Sequence, residues 1–283
     1  VIDTKTRERS VIRSRIVFLC ASTIASTQIL LNSRSEAAPN GIGNNHDVLG
    51  RYLMDHTFGT GATGVIPGYE DKVEFGRRPT GMYVPRFRNI DGQDSDADFV
   101  RGYNYQTWAP YRKEPQDFSG FGADLKNHLR VPGPWIINLH AFCEVLPRKE
   151  NRMMLDDKRV DRFGVPQVKF DVTWRENEKN MLSDSVDQAV AMLAAAGCTE
   201  IERHEEAAVP GRCIHEMGTA RMGEAPGESV LNRWNQLHEA PNLFVTDGSA
   251  MASASCVNPS ITYMALTARA ANHAVELMQS NQI

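Results

Sequence analysis

His215-Glu-Met-Gly-Thr-Ala-Arg-Met-Gly223, followed by Asn242-Leu-Phe-Val-Thr-Asp-Gly-Ser249 and Asn258-Pro-Ser-Ile-Thr262, is the stretch on which the reading of this chain turns. Leu243 to Asp247 has the make-up of a short apolar strand that runs into an Asp-Gly turn. Ser260 to Met278, rich in Ala, Leu and Met, reads as a long helix. Residues 211–283 therefore carry an α/β pattern. The same stretch offers one imidazole, His215, and one carboxamide, Asn258. Oxidising an alcohol needs such a set: one group that takes a proton near neutrality and a second polar group that holds the same oxygen.

Upstream, residues 1–56 open on a strand-like Val1-Ile2-Asp3 and a turn. Ile16 to Cys20 is an apolar run that predicts a strand buried on both faces, as in a parallel sheet. Ala21, Ser22 and Thr23 are small, two of them hydroxylated, and precede an apolar run from Ile24 to Leu31, which is a helix N-terminal signature. A strand, a small-residue turn and a helix start is where backbone N–H groups can approach a nucleotide's phosphate or sugar, although most such junctions bind nothing. Asn40-Gly-Ile-Gly-Asn-Asn45 reads as a set of turns, and Leu49 to His56 closes this part.

Residues 57–210 differ in character. Glycines and prolines punctuate 58–68 and 76–85, and aromatics are frequent from Phe75 to Trp135, among them Tyr83, Phe87, Tyr103, Tyr105, Trp108 and Tyr111. Strands are expected over Trp135–Val145, Val168–Trp174 and Ile201–Glu205, a turn at Asp156-Asp157, and a helix over Ser183–Ala196 stopped by Gly197. The expected architecture is a large, mostly antiparallel sheet backed by helices. Its aromatics, interspersed with Asn, Gln, Arg and His, suit a carbohydrate-binding wall or an ordinary core.

Composition narrows the alternatives. A net charge of −4 in 283 residues gives no electrostatic reason to expect nucleic acid as a partner. No apolar run approaches the roughly 20 residues of a membrane span. The five cysteines contain no Cys-x-x-Cys pair, so buried free thiols are expected. They suit a reducing compartment without excluding the periplasm. His215-Glu216 invites a zinc-protease reading, but the position that needs a second histidine is Thr219. No other spacing completes a metal shell, so none is expected. A Gly-x-Ser-x-Gly elbow is also missing, which removes the serine-hydrolase reading.

His-x-x-Gly-Thr-x-x-Met-Gly, Asn-Leu-x-Val-x-Asp-Gly-Ser and Asn-Pro-Ser-Ile-Thr, in this order, resemble the C-terminal signature of the glucose–methanol–choline (GMC) flavoprotein oxidoreductases. The resemblance is nearest to the sugar-oxidising bacterial branch of pyranose oxidase, gluconate and fructose dehydrogenase large subunits and glucoside 3-dehydrogenases. Phe18–Leu31, Asn40–Asn44, Gly50–His56, Leu146–Met153 and Trp174–Glu178 also fit it. The two candidate catalytic residues stand 43 positions apart, as in the family.

The resemblance implies FAD as cofactor, hydride transfer from a carbinol carbon to flavin N5, His215 as base and Asn258 as a neutral partner. It implies that Cys20, Ala21 and Ser22, Asp247 and Gly248, and Pro259 and Ser260 approach the flavin. Arg221 takes the family's Arg-Met-Gly position, to touch substrate or only to pack. The implied partners are a sugar or polyol substrate, an electron acceptor that is oxygen, a quinone or a cytochrome, and a small or N-terminal subunit. The implied organisation is a partial Rossmann-like FAD-binding domain over 1–56, a substrate-binding α+β domain over 57–210, and an FAD-domain return segment over 211–283. One family feature has no counterpart: the Gly-x-Gly-x-x-Gly unit that binds the ADP half of FAD. The chain thus reads as the C-terminal portion of an enzyme, as one piece of a split enzyme, or as a truncated carbohydrate-binding or scaffold fragment that has lost flavin.

Overall fold

The computed structural model describes residues 1–73, 77, 81–90, 97–108, 110–112, 120–131 and 133–283. The chain divides into two compact units. The first comprises Val1–His56, Val145–Thr173 and Cys213–Ile283, and the second Thr57–Glu144 and Trp174–Arg212. Residues 145–173, which the sequence groups with the middle segment, thus belong to the first unit.

In the first unit the strand Val17–Leu19 pairs in parallel with Leu243–Val245, Val17 opposite Leu243 and Leu19 opposite Val245. Phe18 stacks on Phe244 with ring centroids 5.0 Å apart. The expected two-face burial does not hold, since Val17 and Phe18 are exposed. Among the described residues this sheet has two strands, so one neighbour covers what a parallel interior strand would have covered on both sides. Val1–Asp3 likewise forms only a single antiparallel bridge, Ile2 to Arg9.

The helix Thr23–Asn32 follows the first strand as expected, but no hydroxyl caps it. Ser22 has φ 71° and makes no side-chain cap bond, while the Thr23 hydroxyl donates to the Glu216 carbonyl oxygen at 2.6 Å instead. Leu30 and Leu31 pack with Val48, Leu155, Leu231 and Leu237 into the principal core, each large side chain contributing roughly 1.5–3 kcal/mol. The helix Ser260–Gln279 lies against Phe244 through Ala270 and Ala274, whose small side chains allow close approach.

Asp156-Asp157 is not a turn. The strand Arg152–Val160 runs through it and pairs with Pro166–Asp171. The reversal falls at 161–165, where the Asp161 carboxylate accepts the N–H groups of Phe163 and Val165 and Gly164 takes φ 77°.

The second unit is the expected large antiparallel sheet. Thr199–His204, Gly61–Val65, Trp135–Glu144, Tyr103–Trp108 and Gly81–Val84 are neighbours in that order. Gly61 has to be glycine, because a Cβ there would lie 1.8 Å from the Leu139 carbonyl oxygen at φ +140°. The helix backing this sheet spans Glu176–Ala195, seven residues longer at its start than the apolar spacing predicts. Glu178 explains the extension: its carboxylate accepts the Arg175 N–H at 2.9 Å and closes a capping box.

Strand periodicity divides the aromatics. Tyr103 and Tyr105 are fully buried towards that helix, with the Tyr103 hydroxyl donating to Asp184 at 2.5 Å. Tyr83 and Trp108 are exposed, and with Phe58, Gln106, His140 and Phe142 they line a cleft of about 430 Å³. Phe75 and parts of 76–85 lie outside the described residues. Among the described residues no helix is long and apolar enough to cross a membrane, and no disulfide joins the five cysteines, of which Cys143, Cys213 and Cys256 are buried and Cys20 is exposed.

Candidate active site

The site lies within the first unit and is built by two segments side by side. Met54 and Met217 exchange backbone hydrogen bonds of 2.9 and 2.8 Å, which sets Asp55 and His56 beside Cys213 and His215. Gly218 permits this approach: it takes φ +96°, and a Cβ there would lie 2.2 Å from the Tyr52 carbonyl oxygen. The Asp55 carboxylate ties the segments together by accepting the N–H groups of His56 at 2.8 Å, His215 at 3.0 Å and Cys213 at 3.2 Å.

His215 and Asn258 meet: Asn258 Nδ2 is 3.0 Å from His215 Nε2. The other ring nitrogen, Nδ1, lies 3.0 Å from Nδ1 of His56 and 3.5 Å from Cys213 Sγ. His56 Nε2 in turn bonds the Ser255 carbonyl oxygen. His56 and Cys213 are buried and His215 is half-buried, whereas Asn258 and Ser255 are exposed.

Burial governs the protonation states. It pulls His56 down to about 4, opposed by the Ser255 carbonyl and reinforced by His215. Burial also lowers His215, and the Glu216 carboxylate opposes the shift. Asp55 is pushed up to about 6 because desolvation of its carboxylate outweighs the backbone N–H bonds it accepts. Near neutrality both imidazoles are uncharged, which is the state a base must start from.

His56, Cys213 and His215 hold donor atoms within 4.8 Å of one another, a convergence that linear spacing does not reveal. Shared hydrogen bonding between the ring nitrogens accounts for their approach. Asp55, His56, Cys213 and Ser255 are the members of the site to which the sequence reading gives no role. Asp55 and His56 do lie in a block that resembles the family, and that was the available signal.

Cys20, Ala21 and Ser22 on one side and Asp247 and Gly248 on the other follow the C-terminal ends of two neighbouring parallel strands. In open α/β sheets that is where ligands bind. Cys20 Sγ lies 3.1 Å from the Thr246 hydroxyl, and the Ala21 N–H donates to Ser26 Oγ at 3.0 Å. Asp247 is buried and accepts from the Ser26 hydroxyl and from the N–H and hydroxyl of Ser249, at 3.0 and 2.6 Å. Gly248 leaves no room for a side chain: a Cβ would lie 2.6 Å from Thr23 Oγ1 and 2.7 Å from the Glu216 carbonyl oxygen.

Pro259 precedes the helix Ser260–Gln279 and provides no side-chain cap, while the Ser260 hydroxyl pairs with Tyr263 at 2.8 Å. The uncapped helix start and the backbone-lined turns fit an electron-rich ring and its polyol chain. Arg221 lies with its guanidinium 4.4 Å over the Tyr52 ring and is engaged in packing.

Residues 147–267 match the model of the GMC oxidoreductase family. The chain is 31% identical to 2-methyl-1,2-propanediol dehydrogenase of Mycolicibacterium austroafricanum, over 96% of this chain and 50% of that protein. It is 30% identical to the fructose dehydrogenase large subunit of Gluconobacter japonicus, over 90% of this chain and 46% of that protein. Formate oxidase of Aspergillus oryzae RIB40, a structure concerned with FAD modification, superposes with a TM-score of 0.61 over 94% of this chain and 55% of its own, at 12% identity. The chain spans about half the length of the curated relatives it matches. Its matched segment and its relatives place the chain in the GMC oxidoreductases, whose C-terminal domain it carries.

Proposed function

We propose that this chain is the C-terminal portion of an FAD-dependent oxidoreductase that oxidises a hydroxyl of a sugar or polyol, with His215 as the base. The observation that carries the proposal is the His215–Asn258 pair, a neutral imidazole nitrogen and a carboxamide 3.0 Å apart on the exposed side of a buried polar cluster. A substrate hydroxyl placed at that pair would give its proton to His215. Asn258 cannot titrate in this range, so it would hold the oxygen by a hydrogen bond.

FAD, when bound, supplies the acceptor for the hydride that leaves the carbinol carbon. On this reading Cys20, Ala21, Ser22, Asp247 and Gly248 border the cofactor's diphosphate or ribityl chain, and Pro259 and Ser260 border the pyrimidine edge of its ring. The helix start at Ser260 would favour negative charge there. With no Gly-x-Gly-x-x-Gly unit in the chain, the ADP half of FAD is assigned to the part of the relatives' length that this chain does not span. Residues 1–56 and 211–283 then belong to the FAD-binding domain and 57–210, apart from the hairpin within 145–173, to the substrate domain.

A diol and a sugar among the relatives' names support the substrate class. Oxygen, a quinone or a cytochrome is the proposed electron acceptor, and a small or N-terminal subunit the proposed protein partner. The aromatic cleft of the second unit favours a second reading, a carbohydrate-binding fragment without flavin.

Visible absorbance separates the two. The flavin-loaded protein, mixed without oxygen with a panel of sugars and polyols, is expected to lose its oxidised-flavin band with at least one of them. A protein that holds FAD and is bleached by no CH–OH donor would contradict the assignment.

A further inference from the structure

The chain of contacts from Ser255 through His56 and His215 to Asn258 has a direction fixed by chemistry. A carbonyl oxygen only accepts, so the His56 Nε2 that meets Ser255 carries the proton. Burial holds His56 uncharged, and a neutral imidazole has one N–H, so its Nδ1 is bare. Two bare nitrogens do not approach to 3.0 Å, so His215 Nδ1 donates to His56 Nδ1. Neutral His215 then has a bare Nε2, which accepts from Asn258 Nδ2 at 3.0 Å. Cys213 Sγ, 3.5 Å from the same Nδ1, offers only a weak second acceptor.

We infer that His56 is a positioning residue: by accepting a hydrogen bond at Nδ1 it keeps the proton of His215 on Nδ1 and presents the bare Nε2 as the basic atom beside Asn258. The opposite tautomer would place an N–H on that side, where no proton could be taken up. Without His56, the two tautomers of His215 would compete, and the productive one would have to be selected at each turnover. After the hydroxyl proton arrives, His215 carries both N–H groups and one positive charge. The His56 lone pair then stabilises the cation without taking the proton, because its own site is buried. Asp55 has a different part: it bonds backbone N–H groups of both segments and sets the distance between the rings.

The kinetic consequence rests on His215 being the base, whereas the tautomer does not. The test therefore reads both. Long-range ¹H–¹⁵N NMR of the imidazoles is expected to show His215 as the Nδ1–H tautomer in the unmodified protein and in His56→Asn, whose side-chain oxygen can occupy the Nδ1 position. His56→Leu is expected to show a mixture or the Nε2–H form. In the flavin-loaded enzyme, His56→Leu should lower kcat by roughly 10- to 100-fold with little change in KM, and His56→Asn should recover most of the loss.

An Nε2–H tautomer in the unmodified protein overturns the inference even if His56→Leu does not fold. A His56→Leu protein that keeps a pure Nδ1–H tautomer overturns it as well. An Nδ1–H tautomer of His215 in the unmodified protein, together with normal flavin reduction in His215→Ala, would leave the positioning intact and remove the base.

Discussion

Two half-buried histidines, one in each unit, show what separates a site from a surface. His215 and His140 are both pulled below the ordinary histidine value by burial. His215 has a partner at each nitrogen, Asn258 on one side and His56 with Cys213 on the other, with His56 held by the Ser255 carbonyl and Cys213 by Asp55. His140 stands in an aromatic cleft, edge-on to Trp108 at 5.1 Å and stacked near His204 at 6.4 Å, and its buried Nδ1 has no hydrogen-bond partner among the described residues. Burial alone therefore makes an imidazole neutral. On the proposed reading, orientation by partners is what would make one of its nitrogens a usable base, and the second unit would supply contact surface instead.

The comparison can be broken at the tie. Asp55→Ala strands three N–H groups that the carboxylate now satisfies and should destabilise the protein by roughly 2–5 kcal/mol in denaturant unfolding. An unfolding midpoint unchanged from the parent would show that the two segments hold together without it.

Acidity sharpens the contrast next. The groups facing His215 are Asn258, His56 and Cys213, with the Asp55 and Glu216 carboxylates close by. Because its folded value lies below 6.5, the neutral base survives to lower pH, and the acid limb of kcat/KM is expected below pH 6.5. An acid limb centred above pH 7 contradicts this.

Stability carries the same sign from His56. Its folded value of about 4 lies below the unfolded one, so stability present above pH 6.5 is lost as pH falls towards 4, at up to roughly 1 kcal/mol per pH unit. Asp55, raised to about 6, works the other way and gains stability as it protonates between about 6 and 4. His56→Asn removes the first contribution only. Its unfolding free energy at pH 5 relative to pH 7 should rise above that of the parent, and a smaller ratio would reverse the assignment.

Effects in the cleft should be smaller and confined to binding. Trp108→Ala is expected to raise KM for substrate by about 3- to 10-fold with kcat kept, the worth of one aromatic face. His140→Ala should change flavin reduction by less than about threefold, since no proton passes through it.

Much of this arrangement can be read in the sequence, and the parts that cannot have a common cause. The nearness of His215 and Asn258 follows from a linear motif whose strand and turn are local. The strand–turn–helix at Val17–Asn32 is also local, yet its cap is misread, because Ser22 makes no cap bond and the Thr23 hydroxyl donates to the Glu216 carbonyl, 193 positions away. His56 lies 159 positions before His215, and the Met54–Met217 pairing and the Asp55 carboxylate bring it there. The 145–173 hairpin shares the strand composition of the middle segment, and its backbone pairing with residues 50–53 and its packing against the helix Thr23–Asn32 assign it to the first unit. In the sheet, residue parity sorts Tyr103 and Tyr105 from Trp108 once the register is known, and no composition rule supplies the register. Contacts between distant segments, not local propensity, are what the residues alone leave open.

The central claim is that His215 takes the substrate proton while Asn258 holds the oxygen. Single-turnover reduction of the bound flavin by a sugar or polyol, measured in His215→Ala, tests it most directly. The reduction rate is expected to fall by on the order of 10²–10⁴ with flavin retained in full. A rate unchanged from the parent would show that His215 is not the base.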